Sequence, residues 1–122
     1  MGVGVNLLPH ATKLLAELGL EGALARAAVE TAESRFYNRF GQLIYKEPLG
    51  RSAGMGWPQF SVHRADLQAA LTGQLRAARG AGPLELGRKC SAFKQDPDGV
   101  TLRFEDGSSA RGAAAIGCDG IH

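Results

Sequence analysis

Leucines carry the first periodic signal in the chain. Leu14, Leu15 and Leu18 fall on one face of a helix that starts near Leu7, with Pro9 suited to its first turn and Gly19 placed to end it. Leu20, Leu24 and Ala27 suggest a second, shorter helix over 20–28. From Arg35 to Glu47 the pattern changes to that of a β-hairpin, with Phe36, Tyr37, Leu43, Ile44 and Tyr45 flanking a turn at Arg39-Phe40-Gly41-Gln42. The breakers in Pro48–Pro58 make that stretch a loop, and its length points to a mobile or ligand-facing segment. Gln59–His63 reads as a short strand running into a helix over Arg64–Arg79, where Leu67, Leu71 and Leu75 recur every four residues. Gly80-Ala81-Gly82-Pro83 ends that helix, and Leu84–Leu86 reads as a brief strand that would complete a strand-helix-strand crossover.

Three antiparallel strands follow as a meander. Lys89–Gln95 and Val100–Phe104 are joined by Asp96-Pro97-Asp98-Gly99, and a second turn at Glu105-Asp106-Gly107-Ser108 leads to a strand near Ser109–Arg111. Ala113–Cys118 reads as a last small apolar strand ending on Asp119-Gly120. The elements are those of an α/β chain with no internal repeat.

Length and composition narrow the classes. A chain of 122 residues suits one compact domain, since domains run to ~100–150 residues. With 44% hydrophobic and 21% charged residues it is globular in composition. The 14 Lys and Arg face 12 Asp and Glu, and the charges are scattered, which argues against a nucleic-acid partner. The apolar runs fall short of the ~20 residues of a membrane span and no leader pattern opens the chain, so the expectation is a cytoplasmic protein. Cys90 and Cys118 form no CxxC pair and read as reduced, small, buried apolar residues.

No self-contained catalytic set is legible. His10, His63 and His122 are far apart and, with two cysteines, match no zinc spacing, so no metal is expected. No serine sits in a GxSxG turn. Gly2-Val3-Gly4 is a lone GxG with no third glycine in register, and it reads as a loop leading into the first helix or as a close approach to a ligand.

Three stretches in order are more specific: GVGVNLLPHATKLLAELGL at Gly2–Leu20, WPQFSVHRADLQAAL at Trp57–Leu71, and IGCDGIH at Ile116–His122. Together, with a meander between Lys89 and Arg111, they resemble an internal fragment of the single-component FAD-dependent aromatic hydroxylases. These are flavoprotein monooxygenases of the salicylate, kynurenine and 3-hydroxybenzoate hydroxylase type. The resemblance covers essentially the whole chain.

What it implies is an α/β fold: part of an FAD/NAD(P)-binding domain with the strand-helix-strand crossover and the three-stranded meander, the N-terminal dinucleotide-binding strand and helix being missing. Residues 1–122 would form an internal fragment of that domain. Residues 35–58 would supply a hairpin and loop toward the substrate side, with Met55 and Trp57 near substrate, and 59–122 the crossover, meander and Asp-Gly strand. The implied cofactor is FAD, with NAD(P)H as reductant, and the implied reaction is hydroxylation of a small aromatic substrate through a flavin hydroperoxide. The resemblance places Arg64 against FAD, where a guanidinium at a helix N-terminus can make forked bonds to phosphate or flavin oxygens. The competing reading is a surface arginine paired locally with Asp66 or with the preceding loop. Asp119 and Gly120 match the family's Asp-Gly motif beside the cofactor, or else form an ordinary turn. No catalytic residue is assigned. The family's opening GxGxxG turn and ribose-binding acid have no counterpart here, so the chain is expected to be inactive by itself. The alternative is a non-enzymatic α/β interaction module derived from such an enzyme.

Overall fold

The computed structural model describes residues 3–120, so Gly2, Ile121 and His122, which the motifs above include, lie outside the described residues. The chain separates into two compact units, Met1–Pro83 and Leu84–His122.

In the first unit a three-stranded antiparallel sheet is built around a central strand that is distant in sequence from both its neighbours. Strand β1 (Gly4–Leu7) is followed by α1 (Pro9–Glu17), α2 (Glu21–Ala27) and β2 (Ala28–Glu30). Strands β3 (Glu33–Tyr37) and β4 (Leu43–Pro48) form a hairpin, and after a 3-10 turn at Gly50–Ala53 comes β5 (Phe60–His63), which runs directly into α3 (Arg64–Arg79). The sheet order is β1-β5-β2, with Leu7 opposite Phe60 and Ala28 opposite Val62. Alternation along β5 turns Phe60 and Val62 inward, and they join Leu7, Leu20 and Leu24 as the buried core, against which Leu15, Leu67 and Ala70 pack. The loop expected at Gly2-Val3-Gly4 is corrected in part: Gly4 begins β1, because its partner His63 supplies the ladder that local sequence does not reveal.

The β3–β4 hairpin forms a separate two-stranded sheet, with Phe36 opposite Tyr45 and their rings 6.1 Å apart. Its turn is closed by Asn38. The carboxamide oxygen of Asn38 accepts from the Phe40 and Gln42 backbone N–H groups at 2.9 and 3.0 Å, and its nitrogen donates to the Gln42 side chain at 2.7 Å. Glu33 lies between Arg35 and Lys46, with Lys46 Nζ at 2.6 Å, and hydrogen bonding to Lys46 holds its carboxyl below the ordinary range.

The second unit is the expected meander: β6 (Cys90–Asp96), β7 (Gly99–Phe104) and β8 (Ser109–Gly112), in that order in the sheet. Asp96 organises the first turn, its Oδ1 accepting from the Asp98 N–H at 3.0 Å, while Arg111 on β8 grips both carboxylate oxygens at 2.7 and 3.0 Å. Asp106 holds the second turn by accepting from the Ser108 N–H at 2.8 Å. The forked bonds from Arg111 pull the Asp96 carboxyl below its ordinary value. A depressed carboxylate contributes stability that is complete above its unfolded value and is lost as pH falls through the folded one. Arg111→Gln should therefore move the Asp96 titration upward, toward the ordinary aspartate range, in a carboxyl-carbon NMR titration. An unmoved midpoint would remove Arg111 as the cause.

Three further expectations are corrected. Residues 84–86 carry no strand, because no described strand presents them with a ladder, so the crossover lacks its closing strand among the described residues. Ala113–Cys118 is likewise unpaired and exposed. Cys90 and Cys118 are free thiols but are exposed rather than buried, Cys90 opening a strand at the edge of the meander sheet and Cys118 lying in the unpaired segment beyond β8.

Candidate functional site

Arg64 is the first residue of α3, placed there because β5 hands its chain directly to the helix. His63 caps the helix, its Nδ1 accepting from the Ala65 N–H at 3.3 Å, and the Arg64 N–H donates to the Val3 carbonyl at 3.2 Å. These two bonds use up helix-terminal donors that could have met an anion, so any ligand contact here falls to the guanidinium. That group is exposed and forms no hydrogen bond or ion pair with any described residue. The local pair with Asp66 is not formed; Asp66 sits in the first turn of α3, where its charge meets the helix dipole. An exposed guanidinium with all its donors free is suited to phosphate or carbonyl oxygens.

Asp119 and Gly120 belong to the other unit and are exposed, with Gly120 at φ 84. Asp119 lines a cleft of about 740 Å³ together with Cys90, Phe93, Leu102, Ile116 and Cys118. Its walls are apolar apart from Lys89, Gln95 and Asp119 itself. Among the described residues no group of three or more His, Cys, Asp or Glu is placed to hold a metal ion. No helix among them is long and apolar enough to cross a membrane.

The Pro48–Pro58 loop is tied down at both ends. The single hydroxyl hydrogen of Thr12, buried in α1, is directed to the Pro58 carbonyl at 2.7 Å and shared with the Pro9 carbonyl at 3.0 Å. Leu49 N–H donates to the Ala32 carbonyl at 2.8 Å, and Arg51 reaches Glu30 and Glu21 at 3.4 and 3.6 Å. At its tip the Met55 N–H donates to the Gly50 carbonyl at 3.2 Å while the Met55 side chain is exposed, and Trp57 is half-buried. Sequence reasoning missed Thr12 and Gln59, the buried polar residues of this region; a threonine on the apolar side of a helix was the available signal.

No family model matches the chain. It is similar over its full length to curated proteins, however, including the phenazine 1,6-dicarboxylic acid hydroxylase of Lysobacter antibioticus, at 33% identity over 128 residues. A 3-amino-4-hydroxybenzoate 2-monooxygenase of Streptomyces cremeus is 37% identical over 126 residues. The chain spans about 31% of the length of each of these relatives. Among solved structures, Klebsiella pneumoniae HpxO complexed with FAD and uric acid matches 92% of this chain and 28% of its own, at 25% identity and TM-score 0.71.

Proposed function

We propose that this chain is a segment of an FAD-dependent aromatic hydroxylase and serves as part of an NAD(P)H-consuming monooxygenase acting on a small aromatic substrate. The observation that carries the reading is Arg64. The junction VHRADL sets a guanidinium at the start of α3, exposed and without a partner among the described residues, in a chain that matches the relatives along its entire length. FAD, when bound, supplies the oxygen chemistry; the protein positions and shields it.

In this reading the Arg64 guanidinium donates forked hydrogen bonds to FAD oxygens. Asp119 accepts from cofactor hydroxyl or amide groups, and Gly120 lets the backbone come close. The donor set fits, since Arg64 offers free donors and Asp119 is an exposed carboxylate. Residues 35–58 face the substrate side, with the exposed Met55 at the loop tip and Trp57 behind it.

The test replaces the homologous segment of the Lysobacter antibioticus phenazine hydroxylase with this chain. The chimera is expected to copurify with flavin and to hydroxylate the parent's substrate with NAD(P)H. A folded chimera without flavin would overturn the reading and favour an interaction module. Arg64→Ala in the same chimera should weaken FAD by about 1.5–3 kcal/mol, the range for a hydrogen bond to a charged group. Far-ultraviolet circular dichroism should stay unchanged, because the residue is exposed at the start of a helix. The 122-residue chain alone, which contains no GxGxxG turn, is expected to emerge from desalting after mixing with FAD without flavin absorbance.

A further inference from the structure

The meander carries a β-bulge where β6 opens, and the bulge decides which way Cys90 points. Phe93 pairs with Leu102 and Gln95 with Val100, so these four side chains share one face of the sheet. Cys90 stands at an odd spacing before Phe93, which regular alternation would turn to the opposite face. The register shift between Cys90 and Ala92 instead sets Cys90 across from Phe104 and returns its thiol to the face of Phe93 and Leu102. There it lines the cleft of about 740 Å³, the thiol donating weakly to the Ala92 carbonyl at 3.5 Å.

Cys118 lines the same cleft from the segment beyond β8. That strand ends at Gly112, opposite Val100, whereas Cys90 lies opposite Phe104. The offset between the two ends is about 13 Å along the strands and about 10 Å across two strand spacings, or about 16 Å in all. Residues 113–118 span up to ~20 Å when extended, so the chain is long enough to carry Cys118 back over the start of β6. No strand pairing holds this segment among the described residues. Ile116 and Phe93, which both line the cleft, are 87% and 73% exposed, so the segment stands over the sheet without packing onto it. A segment without a ladder is free to bring the two Cα atoms to the ~4.4–6.8 Å that a disulfide requires.

We propose that Cys90 and Cys118, both free and exposed, form a reversible thiol switch. A peroxide joins them in a disulfide that fastens residues 113–118 across the apolar face of the meander and closes the cleft. The thiolate of one cysteine attacks a peroxide oxygen; the O–O bond breaks, a sulfenic acid forms, and the released hydroxide takes up a proton to become water. The thiolate of the second cysteine attacks the sulfenic sulfur, the S–S bond forms, the S–O bond breaks, and the oxygen leaves with a proton as a second water. Two thiols thus give up two electrons, and hydrogen peroxide accepts them. A dithiol reductant reverses the step by thiol–disulfide exchange.

The test uses the 122-residue chain without flavin, so its outcome is independent of the cofactor reading. Treated with hydrogen peroxide and then iodoacetamide, the folded chain should lose both alkylatable thiols while staying a monomer, and dithiothreitol should restore them. Trypsin cuts after Lys89, Lys94 and Arg111, so the cross-link should join the peptide Cys90–Lys94 to the peptide that starts at Gly112. In a glutathione redox buffer the equilibrium constant for the disulfide should be larger in the folded chain than in urea by on the order of tenfold or more. The control is Cys90→Ser combined with Ala92→Cys, which moves the thiol to a strand position opposite Arg103, on the other face of the sheet. All of these positions are exposed, and circular dichroism checks folding. The control should show no excess over its own value in urea. Equal constants for the unaltered chain folded and in urea would overturn the proposal, as would the same excess in the control or a covalent dimer in place of the internal cross-link.

Discussion

Leu24→Ala is expected to cost about 2–5 kcal/mol, the range for deleting a buried leucine, and so to consume a large share of the ~5–15 kcal/mol that holds a typical domain together. Leu24 is 1% exposed, on the seven-residue helix α2, and it belongs to a core of five buried hydrophobic side chains among the described residues. So small a core has few neighbours free to collapse into the cavity, which places the expected cost in the upper part of that range. The matched control is Leu14→Ala on α1, where a leucine 58% exposed should change stability by no more than about 0.5 kcal/mol. Urea unfolding followed by circular dichroism separates the two. Similar midpoints for both variants would mean that the sheet β1-β5-β2 and α2 do not share the core described.

The same core shows what could be seen in advance. Helix α3 was legible to its ends because Leu67, Leu71 and Leu75 repeat at helical spacing and glycines follow at once. The meander was legible because each of its turns is written locally, by Asp96-Pro97-Asp98-Gly99 and by Asp106 to Ser108, and those turns fix the register of the strands beside them. β1 and β2 were not legible. Gly4–Leu7 contains one buried leucine and a glycine, and Ala28–Glu30 only one large apolar residue, so neither carries an alternation long enough to register. Both become strands because β5, more than twenty-five residues away in sequence, offers them ladder partners. The reverse error at Leu84–Leu86 and Ala113–Cys118 has the same cause: apolar residues promise a strand, but a strand exists only with a partner.

For the candidate site the division is similar. Arg64 is singled out in the sequence by its place in VHRADL, while its exposure at the start of α3, without a side-chain partner among the described residues, is visible only in three dimensions. Thr12 and Gln59 were not, because what distinguishes them is burial set by contacts across the fold: Thr12 through the Pro58 carbonyl, Gln59 through its packing against the Gly50 turn. The loop expected from its length to be mobile or ligand-facing is fastened at its ends by long-range contacts. The side chains that fasten it lie elsewhere in the chain.

Gly50→Val is expected to release that loop. Gly50 is buried and sits at φ 53, in the left-handed region, where a side-chain-bearing residue is disfavoured by about 1–2 kcal/mol. A Cβ at this position would lie 2.6 Å from the Gln59 backbone nitrogen and 3.2 Å from the Gln59 Cβ, and a backbone atom cannot swing aside as a long side chain can. Overpacking of this kind adds about 1–3 kcal/mol. The clash falls where the loop is fastened to β5, next to the Thr12 hydroxyl bond to Pro58. The expected outcome is a loss of about 2–5 kcal/mol together with faster amide hydrogen exchange over 49–58 and at Gln59. Exchange along α3 should rise less at the same denaturant concentration. Gly54→Val is the control, since Gly54 is also left-handed, at φ 79, but has open space around its Cβ position. It should show the conformational penalty without the clash. Equal loss of stability in the two variants would mean that the contact with Gln59 contributes nothing and that backbone conformation alone holds the loop in place.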